Sequence, residues 1–127
     1  MKTILVVDDD KLNLSAARKV LSGEYKVIPV VRGTQALSYL ENEECDMILL
    51  DISMPEMDGF QVLSQLRNSR WFQQIPIVLI TAENSESTAL KGYTSGVSDI
   101  INKPFNPEIV HRRVENIIEL YNHKRFL

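Results

Sequence analysis

The sequence contains little cysteine and no long hydrophobic run, and both absences restrict what the protein can be. Its single cysteine, Cys45, cannot form an internal disulfide or a cysteine-rich metal site, and we interpret it as a small residue near the start of a buried strand. No apolar stretch approaches the roughly 20 residues that cross a membrane as a helix. Met1–Thr3 leads into a predicted strand rather than a signal peptide. A formal net charge of −3 argues against a general binder of nucleic acids or membrane surfaces. We therefore expect a cytoplasmic protein with neither of these partners.

The size and the apolar pattern of the chain predict one globular domain. Its 127 residues, 44% of them hydrophobic and 24% charged, are enough for a core of their own. Five short apolar runs alternate with longer amphipathic or polar stretches: Ile4–Val7, Lys26–Val31, Met47–Leu50, Ile77–Ile80 and Ile100–Ile101. Repeated strand–helix alternation implies right-handed crossovers and a parallel sheet with helices on both faces. We predict a single three-layer α/β domain over residues 1–127.

The stretches between the apolar runs predict helices. Apolar residues at helical spacing mark the first three, namely Leu12, Ala16, Ala17, Val20 and Leu21, then Ala36, Leu37 and Leu40, then Phe60, Val62, Leu63 and Leu66. A weaker fourth helix is predicted over Glu86–Thr94. In the last helix Asn106 is a good N-cap, Pro107 suits the first turn and Glu108 complements the helix dipole.

Acidic residues follow two of the apolar runs. The third run ends in Asp51, and the first is followed by Asp8, Asp9 and Asp10. If strands one and three are neighbours, Asp8, Asp9 and Asp51 converge at the sheet edge where ligands of open α/β folds collect. Two carboxylates about 5 Å apart repel by roughly 3 kcal/mol at an effective dielectric near 20, which favours recruitment of a hard cation such as Mg²⁺. The alternative is that the acids are solvated or cap a helix, as Asp9 or Asp10 could do for the first helix.

Two more strand ends carry polar groups. Thr81 ends the fourth run and Lys103 follows the fifth, so a hydroxyl and an ammonium would face the acids and could satisfy phosphoryl oxygens. A dinucleotide site is disfavoured, because the first strand is followed by acids rather than glycines. A metal-dependent phosphohydrolase with a nucleophilic aspartate is a rival, but Ser53 stands where that class carries a second acid.

Taken together, the motifs resemble the receiver domain of two-component response regulators, a largely bacterial family of the CheY-like superfamily. The matching pieces are Asp8-Asp9, the segment Asp51–Gly59, Thr81-Ala82 and Lys103-Pro104-Phe105, in the family's order and at its separations. The resemblance implies a doubly wound (βα)5 sandwich with the flavodoxin-like strand order 2-1-3-4-5. It also implies a phosphorelay switch rather than an enzyme acting on external substrates.

The resemblance assigns a role to each strand-end residue. Asp51 would accept a phosphoryl group from a histidine kinase or a phosphotransfer protein. Asp9, Asp51 and the backbone carbonyl of Ser53 would bind Mg²⁺, or Mn²⁺ as the alternative, with Asp8 acting largely through water. Thr81 and Lys103 would bind the phosphoryl oxygens. The peptide bond between Lys103 and Pro104 is a candidate for the cis form.

The chain departs from the family at the read-out position. Ile100 stands where a tyrosine or phenylalanine is usual, so we expect phosphorylation to proceed while the aromatic read-out is muted or replaced. Ser53 and Glu83 lie two residues after Asp51 and Thr81, where they would tune the lifetime of the phosphoryl group. The alternative for Glu83 is a solvated loop acid. The surface that responds would be formed by the fourth helix, the fifth strand and the fifth helix. A binding module that is not phosphorylated is the other alternative.

The residues outside the motifs are compatible with more than one partner for the last helix. The last helix, about residues 107–125, either leads into an output domain or forms a homodimer contact through its apolar end. No recognition helix or basic patch for direct DNA binding is apparent in the sequence. Trp71 and Phe72 are expected to cover the edge of the core, with a place in a partner surface as the alternative. We assign no metal role to His111 or His123, because no ligand set lies near them in sequence.

Overall fold

A computed structural model of the chain describes residues 1–54, 56–67, 75–82, 86–103 and 106–125. Trp71, Phe72, Glu83 and Pro104 lie outside the described residues, as does the bond that joins Pro104 to Lys103. In the part of the chain that is described, no helix combines the length and the apolar character needed to cross a membrane.

The described residues form one parallel five-stranded sheet with five helices. The strands are β1 (Lys2–Val7), β2 (Tyr25–Val30), β3 (Met47–Asp51), β4 (Ile77–Thr81) and β5 (Asp99–Asn102). Their order in the sheet is β2-β1-β3-β4-β5, and every neighbouring pair is parallel. The predicted fold class and strand order are confirmed. Because the order reverses between β1 and β3, a crevice opens at the carboxyl ends of these two strands.

The first four helices connect successive strands, the fifth follows the last strand, and together they cover both faces of the sheet. They are α1 (Lys11–Leu21), α2 (Gly33–Asn42), α3 (Gly59–Leu66), α4 (Glu86–Thr94) and α5 (Pro107–Arg125). Asp10 caps α1 by accepting from the Leu12 amide at 2.8 Å, and Asp58 forms a capping box with Gln61 at the start of α3. The predicted cap of the last helix is confirmed, since Asn106 accepts from the amide of Ile109 at 3.1 Å.

Hydrophobic side chains fill both faces of the sheet. Leu5 and Val7 of β1 belong to the cluster under α2 and α3, whereas Ile4 and Val6 belong to the cluster under α1 and α5. This alternation arises because successive residues of a strand point to opposite faces. Burial on both sides holds each strand in place, and with it the polar side chains at the strand ends.

One predicted core residue is wrong. Leu12 was assigned to the apolar stripe of the first helix, but 80% of it is exposed, and Leu14 is buried instead together with Ala17 and Leu21. At about 100° per residue, a side chain two positions before Leu14 lies on nearly the opposite side of the helix. The buried residues Leu14, Ala17 and Leu21 are spaced i, i+3 and i+7, so they share the face of α1 that packs on the sheet, and Leu12 lies outside that face.

Candidate functional site

Polar side chains are buried at the carboxyl ends of three adjacent strands. Asp8 follows β1, Asp51 ends β3 and Thr81 ends β4, and their exposed fractions are 1%, 0% and 1%. Among the described residues these are the buried polar or charged side chains. Burying such groups is costly unless they are paired or bind a ligand, so their convergence marks a functional site.

Three carboxylates meet at this edge. One oxygen each from Asp8, Asp9 and Asp51 lie within 4.8 Å of one another, with Asp9 at the exposed rim. Asp8 is held in place because its oxygens accept from the backbone amide of Asp10 at 2.9 Å and from the side-chain amide of Asn13 at 3.2 Å. The structure therefore separates the two roles that the sequence left open: Asp10 caps α1, and Asp9 belongs to the acidic cluster.

Asp51 lies at the centre of the site. Its Oδ1 atom accepts from the backbone amide of Ser53 at 3.1 Å, and its Oδ2 atom lies 3.3 Å from Nζ of Lys103. The Lys103 amide donates to the carbonyl of Thr81 at 2.8 Å, which ties the end of β5 to the end of β4. Burial, reinforced by the charge of Asp8, raises the pKa of Asp51 to about 6, although the Ser53 amide and Lys103 act in the opposite direction.

The charges of the site fit a bound cation. The three carboxylates outnumber the Lys103 ammonium that contacts Asp51, which leaves an excess of negative charge around them in a largely buried space. Carboxylate oxygens are the ligands that hard divalent cations prefer. Asp8, Asp9 and Asp51 are therefore suited to hold Mg²⁺ or Mn²⁺.

The loop after Asp51 packs tightly over the end of β3. A Cβ atom at Gly59 would come within 2.6 Å of the Asp51 carbonyl oxygen, so only glycine allows this approach. The Gly59 amide also donates to the Ile52 carbonyl at 2.9 Å. Within the same loop Glu56 adopts a φ of 67° and pairs with Arg32 at 2.9 Å. The loop thus holds Ser53 against Asp51 at the expense of local backbone strain at Glu56.

A cleft of about 720 Å³ opens beside the acids, and its lining includes residues that the sequence patterns did not single out. Asp9 and Ser53 line one part of the cleft, whereas Ser87 and Lys91 of α4 line another. The ammonium of Lys91 lies 4.2 Å from the ring centre of Phe60, in a cation–π contact. Ser87 and Lys91 lie outside the motifs, so only the packing of α3 and α4 brings them to the site.

The proposed read-out residue lies on the sheet face beneath α4. Ile100 pairs in register with Leu79 and is half-buried against the core cluster under α2 and α3. A Cβ atom at Gly92 of α4 would approach within 2.8 Å of Ile100 Cδ1, so the missing side chain of Gly92 makes room for Ile100. Ser53, by contrast, lies beside Asp51, as its hydrogen bond requires.

The structure also brings ligand-type side chains next to His111. Its Nε2 atom lies 3.1 Å from Oε1 of Glu24, and Glu115 belongs to the same group. The prediction that no ligand set lies near His111 is therefore wrong. It failed because Glu24 is 87 residues away in the chain and reaches His111 only through the packing of α5 beside α1.

Comparisons with known proteins agree with the resemblance seen in the motifs. The family model described as the response regulator receiver domain matches residues 4–115. The regulatory protein VanRc of Enterococcus gallinarum is 36% identical over 124 residues, which are 94% of this chain and 52% of that protein. The response regulator PleD of Caulobacter vibrioides is 37% identical over 115 residues, which are 90% of this chain and 25% of that protein. The chain thus spans about half, or less, of the length of these relatives.

Solved structures are similar over nearly the whole chain. A CheY-like response regulator receiver domain protein from Methanospirillum hungatei superposes with a TM-score of 0.90 at 25% identity, covering 98% of both chains. The BeF3-activated receiver domain of DrrB, whose source is Thermotoga maritima, gives a TM-score of 0.85 at 30% identity, covering 94% of this chain and 98% of that one.

Proposed function

Because this chain belongs to the response regulator receiver domain family, we propose that it is a phosphoacceptor switch in two-component signalling, with Asp51 as the residue that is phosphorylated. The observation that carries the proposal is the surroundings of Asp51. A buried carboxylate lies at a strand end between a second buried acid, Asp8, and the ammonium of Lys103. The donor would be the phosphohistidine of a histidine kinase or of a phosphotransfer protein.

The proposed reaction is an in-line phosphoryl transfer, in which the protein mainly positions groups and neutralises charge. An oxygen of the Asp51 carboxylate attacks phosphorus and forms the new O–P bond. The N–P bond of the donor breaks, and its electron pair returns to the imidazole nitrogen of the donor. A pKa of about 6 leaves most of the Asp51 side chains ionised at pH 7, which is the state that the attack requires.

We assign the metal to the acidic cluster. Asp9 and Asp51 would bind Mg²⁺ directly, together with the backbone carbonyl of Ser53, and Asp8 would act largely through water. When bound, the cation supplies the positive charge that offsets the carboxylates and the transferred group. The excess of carboxylates over nearby ammonium groups supports this assignment.

The transferred group adds about −1.5 to −2 charges at a site that is already acidic. Lys103 already reaches the Asp51 carboxylate, and Thr81 ends the neighbouring strand, so both are suited to bind phosphoryl oxygens. Ser53 and Glu83 would set the lifetime of the acyl phosphate by controlling the approach of water.

The response would appear on the surface formed by α4, β5 and α5. Large hydrophobic side chains are exposed on this surface, which supports a docking role. They are Leu90 (69% exposed) and Tyr93 (52%) of α4 and Leu120 (56%) of α5. Ile100 lies beneath α4 rather than presenting an aromatic ring, so we expect the packing of α4 on the sheet to change instead of a ring orientation. An output domain, a downstream protein or a second copy of the chain would read this surface.

The wider context is also part of the proposal. We treat residues 1–127 as one receiver domain in the cytoplasm, with α5 leading into an output domain, because the curated relatives extend well beyond the region that this chain matches. We propose no direct contact with nucleic acid or membrane. A Mg²⁺-dependent phosphohydrolase is the weaker candidate, since Ser53 occupies the position where a second acid is usual in that class.

Intact-mass measurement with acetyl phosphate or beryllofluoride tests the proposal. We expect one adduct per chain that requires Mg²⁺ and is absent in Asp51→Asn. Asp10→Asn is a matched control, because Asp10 caps α1 outside the acidic cluster and its variant should still form the adduct. No adduct in the parent protein would select the inert binding module, and multiple turnover of phosphate esters would select the phosphohydrolase.

A further inference from the structure

We propose that Glu24, His111 and Glu115 form a second metal site, for a divalent transition-metal cation of the Zn²⁺ type. The His111 Nε2 atom lies 3.1 Å from Oε1 of Glu24. One ligand atom from each of the three side chains lies within 4.8 Å of the others. The inference is independent of the proposed phosphorylation of Asp51.

The ligand set favours a transition metal over Mg²⁺. One imidazole and two carboxylates are common ligands of Zn²⁺, whereas Mg²⁺ prefers oxygen alone. Tetrahedral Zn²⁺ with bonds of about 2.0–2.2 Å places its ligand atoms roughly 3.3 Å apart. The contact between His111 and Glu24 is already close to that separation, and Glu115, within 4.8 Å of both, would supply the third ligand and leave one position for water.

The backbone brings the three side chains together while leaving them accessible. His111 and Glu115 are four residues apart on α5, so they share one side of the helix. Their neighbours Val110 and Val114 are fully buried and anchor α5 to the sheet. Glu24 lies in the turn before β2, where its amide donates to the Leu21 carbonyl at 3.1 Å. The side chains of Glu24 and His111 remain 56% and 31% exposed, so a cation can reach them from solvent.

The electrostatics of this region also favour a cation. Glu24 and Glu115 supply two carboxylates against one imidazole, so the group carries an excess of negative charge that a cation would offset. The contact between His111 and Glu24 would be an ion pair when the imidazole is protonated. A bound metal would instead take the neutral imidazole, releasing that proton, and would offset both carboxylates at once.

The two metal sites lie at opposite ends of the sheet. Glu24 precedes Tyr25, which pairs with Lys2 at the start of β1, whereas Asp8 follows the end of β1. Six strand residues at about 3.3 Å each separate the two ends by roughly 20 Å. The second site would therefore join α5 to the turn between α1 and β2 without competing with the acidic cluster.

Zinc titration of untagged protein tests the proposal. All variants are made in the Asp51→Asn protein and measured in excess Mg²⁺, so that the acidic cluster contributes as little as possible to the Zn²⁺ binding that is measured. We expect isothermal titration calorimetry to give one Zn²⁺ per chain. Replacing a residue that only hydrogen-bonds a metal ligand already lowers metal affinity about tenfold or more. We therefore expect His111→Gln and Glu115→Gln each to lower the Zn²⁺ affinity at least about tenfold. The matched control is His123→Gln, which changes the other histidine of the chain and should leave the affinity unchanged.

A spectroscopic measurement separates coordination from loose charge attraction. Co²⁺ bound to the same three ligands should give visible d–d absorption bands that Zn²⁺ abolishes and that are absent in His111→Gln. Circular dichroism in EDTA should show that every variant retains the parent fold. The proposal is overturned if no saturable Zn²⁺ binding occurs, or if His111→Gln binds Zn²⁺ as tightly as its background.

Discussion

Replacing Asp51 with asparagine should stabilise the metal-free protein, because Asp51 is a buried acid held next to another acid. Its pKa rises from 3.8 to about 6 on folding, chiefly through burial. Each pH unit corresponds to about 1.36 kcal/mol, so the ionised form carries a penalty of about 3 kcal/mol in the folded state. Asparagine has nearly the same shape and can still accept from the Ser53 amide, but it carries no charge.

The sign of the pH dependence follows from the same values. A folded-state pKa above the unfolded one means that the folded protein binds the proton more tightly, so this group stabilises the fold as pH falls through about 6. Above that pH the penalty is fully present. Between pH 8 and pH 5 the parent should gain about 1 kcal/mol that Asp51→Asn does not gain. The stability advantage of the variant should shrink by that amount.

Urea unfolding in EDTA at pH 8 and pH 5 measures both quantities. Asp46→Asn is the control, because Asp46 lies at the other end of the sheet, accepts from the Thr3 amide at 2.7 Å and is partly exposed. Its variant should gain no stability at pH 8. Saturating Mg²⁺ should then stabilise the parent more than Asp51→Asn. If Asp51→Asn is no more stable than the parent at pH 8 in EDTA, the electrostatic account of the site is wrong.

Four further outcomes follow from the contacts of the site and the fold. Lys103→Met should raise the pKa of Asp51 further, measured by NMR titration of the carboxyl carbon, and an unchanged pKa would contradict the ion pair. Glu56→Gly should keep or raise Tm because glycine relieves the strain of a φ of 67°. Glu56→Val should lower the free energy of unfolding in urea by about 1–2 kcal/mol. Equal stabilities of the two variants would argue against strain at this position. Asn106→Ala should cost about 1 kcal/mol by removing the cap of α5, and a loss near zero would show that the cap contributes nothing. Ile100→Tyr should alter the beryllofluoride-dependent hydrogen exchange of α4, and exchange identical to the parent would exclude Ile100 from the read-out.

The order of strands and the edge of the sheet that carries the site could be predicted from the sequence. Apolar runs such as Met47–Leu50 are local signals, and a polar residue directly after a run must lie at a strand end. Parallel strands share the direction of their carboxyl ends, so Asp8, Asp51 and Thr81 had to lie along one edge. The motifs added the order in which these strands are neighbours.

Choices between equivalent local patterns could not be predicted in this way. Asp9 and Asp10 are adjacent and chemically identical, and only the start of α1 decides that Asp10 caps the helix while Asp9 turns toward Asp51. Leu12 fits a helical stripe as well as Leu14 does, and only the docked face of α1 leaves Leu12 in solvent.

The sequence by itself therefore determined that Asp8, Asp51 and Thr81 stand at strand ends and, through them, which chemical groups the site contains. Only the tertiary structure decided that Ile100 lies beneath Gly92 of α4 and that Glu24 meets His111. The physical reason is the range of the interactions. Strand ends follow from hydrophobic patterning over a few residues, whereas these contacts depend on how helices distant in sequence pack on the sheet.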